Sequence, residues 1–185
     1  MKILDFGCGN KKGAGCPYAG DIIGVDIDKI SQADVIWDLE KFPYPFKDNE
    51  FDAVYSHHCL EHLEDTLKVM EELCRITKPH GRITILVPYG ASSFALNNPT
   101  HKKFFSVEAI YGIANFIPKV KVLKAEYHYI YTAFPELQSW KGKLLRKMFK
   151  PVDWLINSHQ NIYGRIGRHF LGDADEVEWE LERVK

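Results

Sequence analysis

Leu4-Asp5-Phe6-Gly7-Cys8-Gly9-Asn10 is the stretch that decides the fold. A short apolar run, Lys2–Phe6, stops at two glycines one residue apart. Glycine lets the backbone turn sharply and approach a ligand with no Cβ in the way. Asp26 follows Gly7 by nineteen residues and closes a second apolar run, Asp21–Ile27 (DIIGVDI). In nucleotide-binding α/β units an acid at about this separation bonds ribose hydroxyls. A carboxylate suits the task because it accepts from two neighbouring hydroxyls at once. The dinucleotide fingerprint G-x-G-x-x-G is incomplete, since Lys12 stands where the third glycine would be. The connection to the second run holds Gly13, Gly15, Pro17 and Gly20 and reads as a loop with at most one helical turn. No helix N-terminus is left to hold a pyrophosphate. The turn therefore suits a nucleoside with little or no phosphate; the alternative is a plain tight turn and a surface aspartate.

Further strands are expected at Ala33–Leu39, Phe51–Ser56 (FDAVYS) and Arg82–Pro88 (RITILVP), short apolar runs of the kind found in covered parallel sheets. Leu63, Leu67, Met70 and Cys74 are spaced as one buried stripe of a helix between the last two, with Asp65 as its start signal. Lys78-Pro79-His80-Gly81 should stop it. A second helix is predicted from Ser106, as cap, to about Asn115. Lys119–Tyr131 and Glu176–Val184 read as later strands, with a mostly helical segment, Pro135 to Leu171, broken near Pro151. Strand–helix–strand repetition implies a parallel sheet with right-handed crossovers. Asp38-Leu39 and Ser56-His57-His58 then join the glycine turn and Asp26 outside the carboxyl ends of the strands, where open α/β sheets bind ligands.

Composition narrows the function classes. The 185 residues are 45% apolar with a net charge of -1, which suits one globular domain and makes the whole chain no obvious nucleic-acid binder. No apolar run approaches the ~20 residues of a membrane span. No long apolar stretch follows Met1-Lys2, so no signal peptide is expected. Cys8, Cys16, Cys59 and Cys74 form no C-x-x-C pair and read as free thiols of a cytoplasmic protein. Between Gln138 and Leu171 seven Lys/Arg face one acid, Asp153.

LDFGCGN (4–10), GVDI (24–27), WDLEKFPYPFKDNEFDAVYSHHCLEHL (37–63) and MEELCRITKPHGRITILVP (70–88) together resemble class I S-adenosylmethionine-dependent methyltransferases. The resemblance is greatest to the small group with a G-C-G-x-x-K loop, an L-E-H-L turn and an R-x-x-K-P-x-G segment. N-P-T-H-K-K-F-F-S, ending at Ser106, extends it more weakly. It implies an α/β fold with a Rossmann-like, mostly parallel seven-stranded sheet whose last strand is antiparallel. The cofactor would be S-adenosylmethionine, leaving as S-adenosylhomocysteine, and the acceptor a small or lipid-like molecule. Asp5, Gly7, Cys8, Gly9 and Asn10 would cradle the methionine part. Asp26 would hold the ribose, with Ile27 beside the adenine and Asp38 and Leu39 contacting it. Ser56 and His57 would line the floor near the sulfonium, and His62 would shape the turn below. Family members carry helices before strand one, whereas this chain starts almost at the strand. The whole of 1–185 then reads as one domain, with 135–171 as a basic helical lid or insert before the last strand.

His57 and His101 are the candidate general bases, with His58 behind them and Tyr89 as an orienting hydroxyl, because an imidazole titrates near neutrality. Trp140, Leu144, Leu145, Met148 and Phe149, interleaved with Lys141, Lys143, Arg146, Lys147 and Lys150, describe an amphipathic basic helix. It would cover the pocket, or touch an anionic membrane or acidic surface through 138–171. A non-catalytic domain that binds the cofactor or its product is one alternative. Another comes from His58-Cys59-Leu60-Glu61-His62, an H-x-x-E-H pattern that on a helix would serve a zinc hydrolase. Because the segment directly follows a strand and lacks an evident third ligand, no metal is assigned.

Overall fold

The computed structural model describes residues 1–129 and 140–184. Its centre is one seven-stranded sheet: β1 (Lys2–Phe6), β2 (Asp21–Asp26), β3 (Val35–Ile36), β4 (Phe51–His57), β5 (Thr77–Pro88), β6 (Val120–His128) and β7 (Glu176–Arg183). They lie in the order β3-β2-β1-β4-β5-β7-β6. The first five are parallel, and β7 runs antiparallel to both β5 and β6. This is the expected Rossmann-like arrangement. Ile3, Leu4 and Phe6 are fully buried, as a strand covered on both faces requires.

Strand order reverses between β1 and β4, so the fold's natural crevice opens there. Register brings the strand ends level. Phe6 pairs with both Val25 and Ser56, Asp26 with Ile36, and His57 with Leu86. Because β7 is antiparallel, its first residue, Glu176, pairs with Pro88 at the same edge.

Helix α1 (Thr66–Ile76) crosses from β4 to β5. Asp65 caps it, its side chain accepting from the Lys68 N–H at 3.0 Å. The buried face is Val69, Met70, Leu73, Cys74 and Ile76. The expected stripe was displaced: Leu63 precedes the helix, and Leu67 is partly exposed because starting at Thr66 turns it outward. β5 also begins earlier than expected, since Thr77 pairs with Phe51 before a bulge that admits Lys78–Gly81. β3 shrinks to two residues.

Two short helices follow: α2 (Ser93–Asn97), capped by Ser92, and α3 (Ala109–Phe116). Ser106 does not cap α3 through its side chain; its carbonyl accepts from Ala109 N–H at 3.2 Å instead. Trp179 on β7 is wholly buried, edge-on to Phe105, and donates its indole N–H to Val107 O at 3.0 Å.

Helix α4 (Trp140–Ser158) runs unbroken through Pro151. Its second half is fixed to β6 from outside, which offsets the hydrogen bond a helical proline removes. Asn157 accepts from Tyr127 N–H and donates to Tyr127 O, both at 2.8 Å, and Asp153 accepts from Tyr129 N–H at 2.8 Å. A short helix (Gln160–Ile162), a π-helical turn (Tyr163–Gly167) and a last turn (Arg168–Leu171) return the chain to β7. Residues 130–139, which include the end of the expected strand 119–131 and the start of the helical segment, lie outside the described residues. Among the described residues no helix is long and apolar enough to cross a membrane.

Candidate functional site

The site begins with three carboxylates that hold a loop in shape. After β1 the chain turns at Gly7 (φ +75°) and Gly9 (φ +51°). The N–H groups of Gly7 and Cys8 both donate to Val25 O on β2. Asp26 Oδ2 accepts from Gly9 N–H at 2.8 Å, while Oδ1 accepts from Asp28 N–H at 2.9 Å. Buried Asp5 accepts from Gly13 N–H at 2.6 Å, closing the far side of the loop. Burial raises the Asp5 carboxyl above its ordinary range, against the pull of that N–H. Asp34 completes the frame by accepting from Gly24 N–H and from Lys12, whose ammonium reaches both oxygens at 2.9 Å. Asp5, Gly7, Cys8, Gly9 and Asp26 thus form one hydrogen-bonded unit, with Asn10 exposed at its tip.

Space remains where a ligand would approach. A Cβ on Gly9 would meet nothing within 4 Å. Ile27, next to Asp26, leaves 62% of its surface exposed. Asp38 follows β3 with Oδ1 accepting from Glu40 N–H at 3.1 Å, and Leu39 is buried beneath Tyr44, whose hydroxyl donates to Leu39 O. Burial pushes the Cys8 thiol up to about 11, helped by Asp5 and Asp26, so it stays protonated.

Ser56 differs from expectation. Its hydroxyl is buried and donates to Phe6 O at 3.1 Å, so it ties β4 to β1 rather than lining a floor. His57 does sit at the end of β4. Its Nε2 is 2.9 Å from Glu176 Oε1, and His58 Nε2 is 2.8 Å from the same oxygen. Burial alone would raise the Glu176 carboxyl, but hydrogen bonds from His57 and then His58 outweigh it and hold the group ionised, far below the usual carboxylate range. Burial lowers His58 despite Glu176, which keeps that ring neutral near pH 7. Glu176 was missed by sequence reasoning because it lies 119 residues from His57. Only the antiparallel entry of β7 brings it back. Beside this pair a cavity of about 520 Å³ is lined by Ser93, Phe94, Asn97, Asn98, Pro99 and Asp175. The Phe94 ring lies 5.4 Å from that of His58.

His62 and His101 belong to a second cluster. His101, a candidate general base, has a side chain only 2% exposed, and its Nδ1 is 2.8 Å from Ala95 O. His62 lies on a 3₁₀ turn (Leu60–His62), its Nδ1 3.2 Å from Thr100 O. Both rings face Glu61. The continuous H-x-x-E-H helix does not form, because His58 has φ +54° and precedes the turn. A helix carrying two imidazoles four residues apart needs both in right-handed helical backbone.

Sheet order, glycine turn and aligned strand ends define a class I methyltransferase scaffold. Residues 4–85 match the family described as methyltransferase domain. An uncharacterized methyltransferase of Schizosaccharomyces pombe is 34% identical over 105 residues, covering 44% of this chain and 38% of the relative. A demethylmenaquinone methyltransferase of Streptomyces avermitilis is 27% identical over 124 residues, covering 66% and 50%. The chain therefore spans half or less of the length of these curated relatives. Among solved structures, phosphoethanolamine N-methyltransferase 2 of Haemonchus contortus, in complex with S-adenosyl-L-methionine, superposes with a TM-score of 0.65 at 19% identity. That match covers all of this chain and 49% of the other. A methyltransferase of Archaeoglobus fulgidus gives 0.61 at 22% identity, covering 98% and 86%. Both likenesses are of fold.

Proposed function

We propose that this chain moves the methyl group of S-adenosylmethionine to a small or lipid-like acceptor. The observation that carries the reading is the carboxylate-braced turn at Gly7–Gly9, with Asp26 beside it and open space over Gly9. A nucleoside with two ribose hydroxyls and no phosphate fits that chemistry: Asp26 has further lone pairs to accept with, and no helix N-terminus awaits a phosphate. Asp26 would hold the ribose, exposed Ile27 and buried Leu39 would flank the adenine, and Asp5 would act through the loop it closes. Bound there, the cofactor supplies an electrophilic methyl. The chain's own part is to align the acceptor and exclude water, effects that can lower a barrier by roughly 7–11 kcal/mol. His57 takes the acceptor's proton, and ionised Glu176 steadies the imidazolium that results, as a carboxylate does behind other catalytic histidines. The cavity lined by Phe94 and Asp175 is the acceptor's place.

Calorimetric titration with S-adenosylmethionine and NAD side by side tests the reading; binding of NAD alone would overturn it. His57→Gln should cut methyl transfer by about 10²–10⁴-fold. Its affinity for S-adenosylhomocysteine should stay unchanged. A full rate in that variant would remove His57 from the mechanism.

The segment 138–171 supports a peripheral contact with an anionic lipid surface. Leu144, Met148 and Trp154 are each more than half exposed, on a helix that also carries Lys141, Lys143, Lys147 and Lys150. Flotation with phosphatidylserine vesicles should capture the native chain and lose a Lys143→Glu/Lys147→Glu variant. Equal flotation of the two would leave the segment with its other assignment, a cover packed on the domain.

A further inference from the structure

Glu61 is 1% exposed, and neither of its carboxylate oxygens has a hydrogen-bond partner. A buried acceptor left unsatisfied costs on the order of 1–3 kcal/mol, more when charged, so such a group calls for a reason. Its surroundings supply one. Oε1 stands 3.8 Å from His101 Nε2 and 3.9 Å from both His62 Nε2 and His58 Nδ1, of which His58 is already engaged with Glu176 through its other nitrogen. These distances are beyond hydrogen-bond reach.

The tautomers follow from the far side of each ring. His101 Nδ1 meets Ala95 O at 2.8 Å, and His62 Nδ1 meets Thr100 O at 3.2 Å. A backbone carbonyl only accepts, so His101 Nδ1 carries the hydrogen; His62 Nδ1 also lies 3.1 Å from Thr100 Oγ1, but that hydroxyl donates to Asn98 Oδ1 at 2.8 Å, which leaves His62 Nδ1 as the donor too. Each Nε2 then turns a lone pair toward the carboxylate. Lone pairs therefore converge on the Glu61 carboxyl, an arrangement that repels itself unless a proton or a metal cation sits among them. Histidines held through Nδ1–H by a carbonyl while Nε2 faces inward are oriented as metal-binding histidines are.

We infer that Glu61, His62 and His101 form a binding site for a divalent transition cation of the zinc type. Nitrogen and oxygen donors in this ratio suit zinc, and three protein ligands leave a fourth position to water. Zinc bonds of about 2.0–2.1 Å place tetrahedral ligands about 3.4 Å apart. The two Oε1–Nε2 distances exceed this by about half an ångström, and the three donor atoms lie within 4.8 Å of one another, so binding an ion requires them to draw together. His62, with its side chain 35% exposed, gives the ion its way in. The site joins separate pieces of chain. Glu61 and His62 lie on the turn after β4, and His101 follows α2, whose neighbouring Lys102 and Lys103 N–H groups already donate to Glu61 O at 2.8 and 3.0 Å. A bound ion would pin the segment carrying Phe94 against the turn that follows His57 and His58. The inference goes beyond the methyl-transfer reading and does not depend on it.

The full chain, stripped with a chelator, would be titrated with Zn²⁺ against a chromophoric competitor, and with Co²⁺ followed by visible absorption. One equivalent should bind, with the Co²⁺ bands of a low-coordinate site and a raised Tm. Glu61→Gln, which keeps shape and volume, and His101→Ala should each weaken Zn²⁺ by at least about 100-fold and abolish the Co²⁺ bands. His80→Ala, at an exposed pair with Glu182, and His57→Ala should bind as the native chain does. Absence of stoichiometric binding would overturn the site and leave Glu61 holding a proton. Binding lost in His57→Ala but kept in His101→Ala would also overturn it, placing the ion at His57, His58 and Glu176.

Discussion

Asp26→Ala is expected to weaken S-adenosylmethionine binding by roughly 100- to 10,000-fold. Hydrogen bonds to a charged group contribute about 1.5–3 kcal/mol each, and a carboxylate facing two ribose hydroxyls makes two. The substitution also removes the acceptor for Gly9 N–H at 2.8 Å and for Asp28 N–H at 2.9 Å. Part of the loss would therefore come through a loosened turn. Asp26→Asn narrows the comparison, because its amide oxygen can still take the Gly9 N–H while the charge is gone, although its NH2 then faces Asp28 N–H. It should keep the Gly9 side of the turn and lose less affinity than Asp26→Ala. Calorimetry with S-adenosylhomocysteine reads both variants. An unchanged dissociation constant for folded Asp26→Ala would refute the ribose assignment, whatever happened to turnover.

Gly7→Ala should be the costliest single methyl in the loop. At φ +75° an alanine sits in left-handed backbone, a penalty of about 1–2 kcal/mol. Its Cβ would also lie 2.4 Å from Cys59 Sγ and 2.5 Å from Cys59 Cβ, closer than real atoms approach. Cys59 is buried, so relieving the overlap means shifting packed structure at a further cost of about 1–3 kcal/mol. The sum, about 2–5 kcal/mol, corresponds to a fall in Tm of roughly 5–15 °C for a chain of this size. Gly9→Ala is the control. It carries a similar backbone penalty at φ +51°, but its Cβ would meet nothing within 4 Å. Its cost in stability should be the smaller, and its cost in cofactor affinity the larger, since it fills the space left for the ligand. Thermal denaturation of the pair checks the ranking; a Gly7→Ala protein as stable as Gly9→Ala would show that the turn tolerates a different path.

The two clusters of histidine differ in how visible they were. His57 and His58 follow a recognisable strand, and their place at its end could be read from Phe51–Ser56 alone. Their partner Glu176 could not, because nothing local marks one glutamate of Glu176–Arg183 as the one that will be buried. Glu61 looked like part of a helical zinc pattern. The positive φ at His58 broke that pattern, and the cluster re-formed with His101, thirty-nine residues beyond His62.

By itself the sequence determined the parallel strands, their glycine turn and the acid at the end of β2. These are local properties: apolar runs of strand length, backbone freedom at Gly7 and Gly9, and a fixed chain distance from that turn to Asp26. The tertiary structure decided which groups share a hydrogen bond or a cavity. It did so because sheet register and the reversed direction of β7 set those distances, and both depend on packing summed over the whole chain.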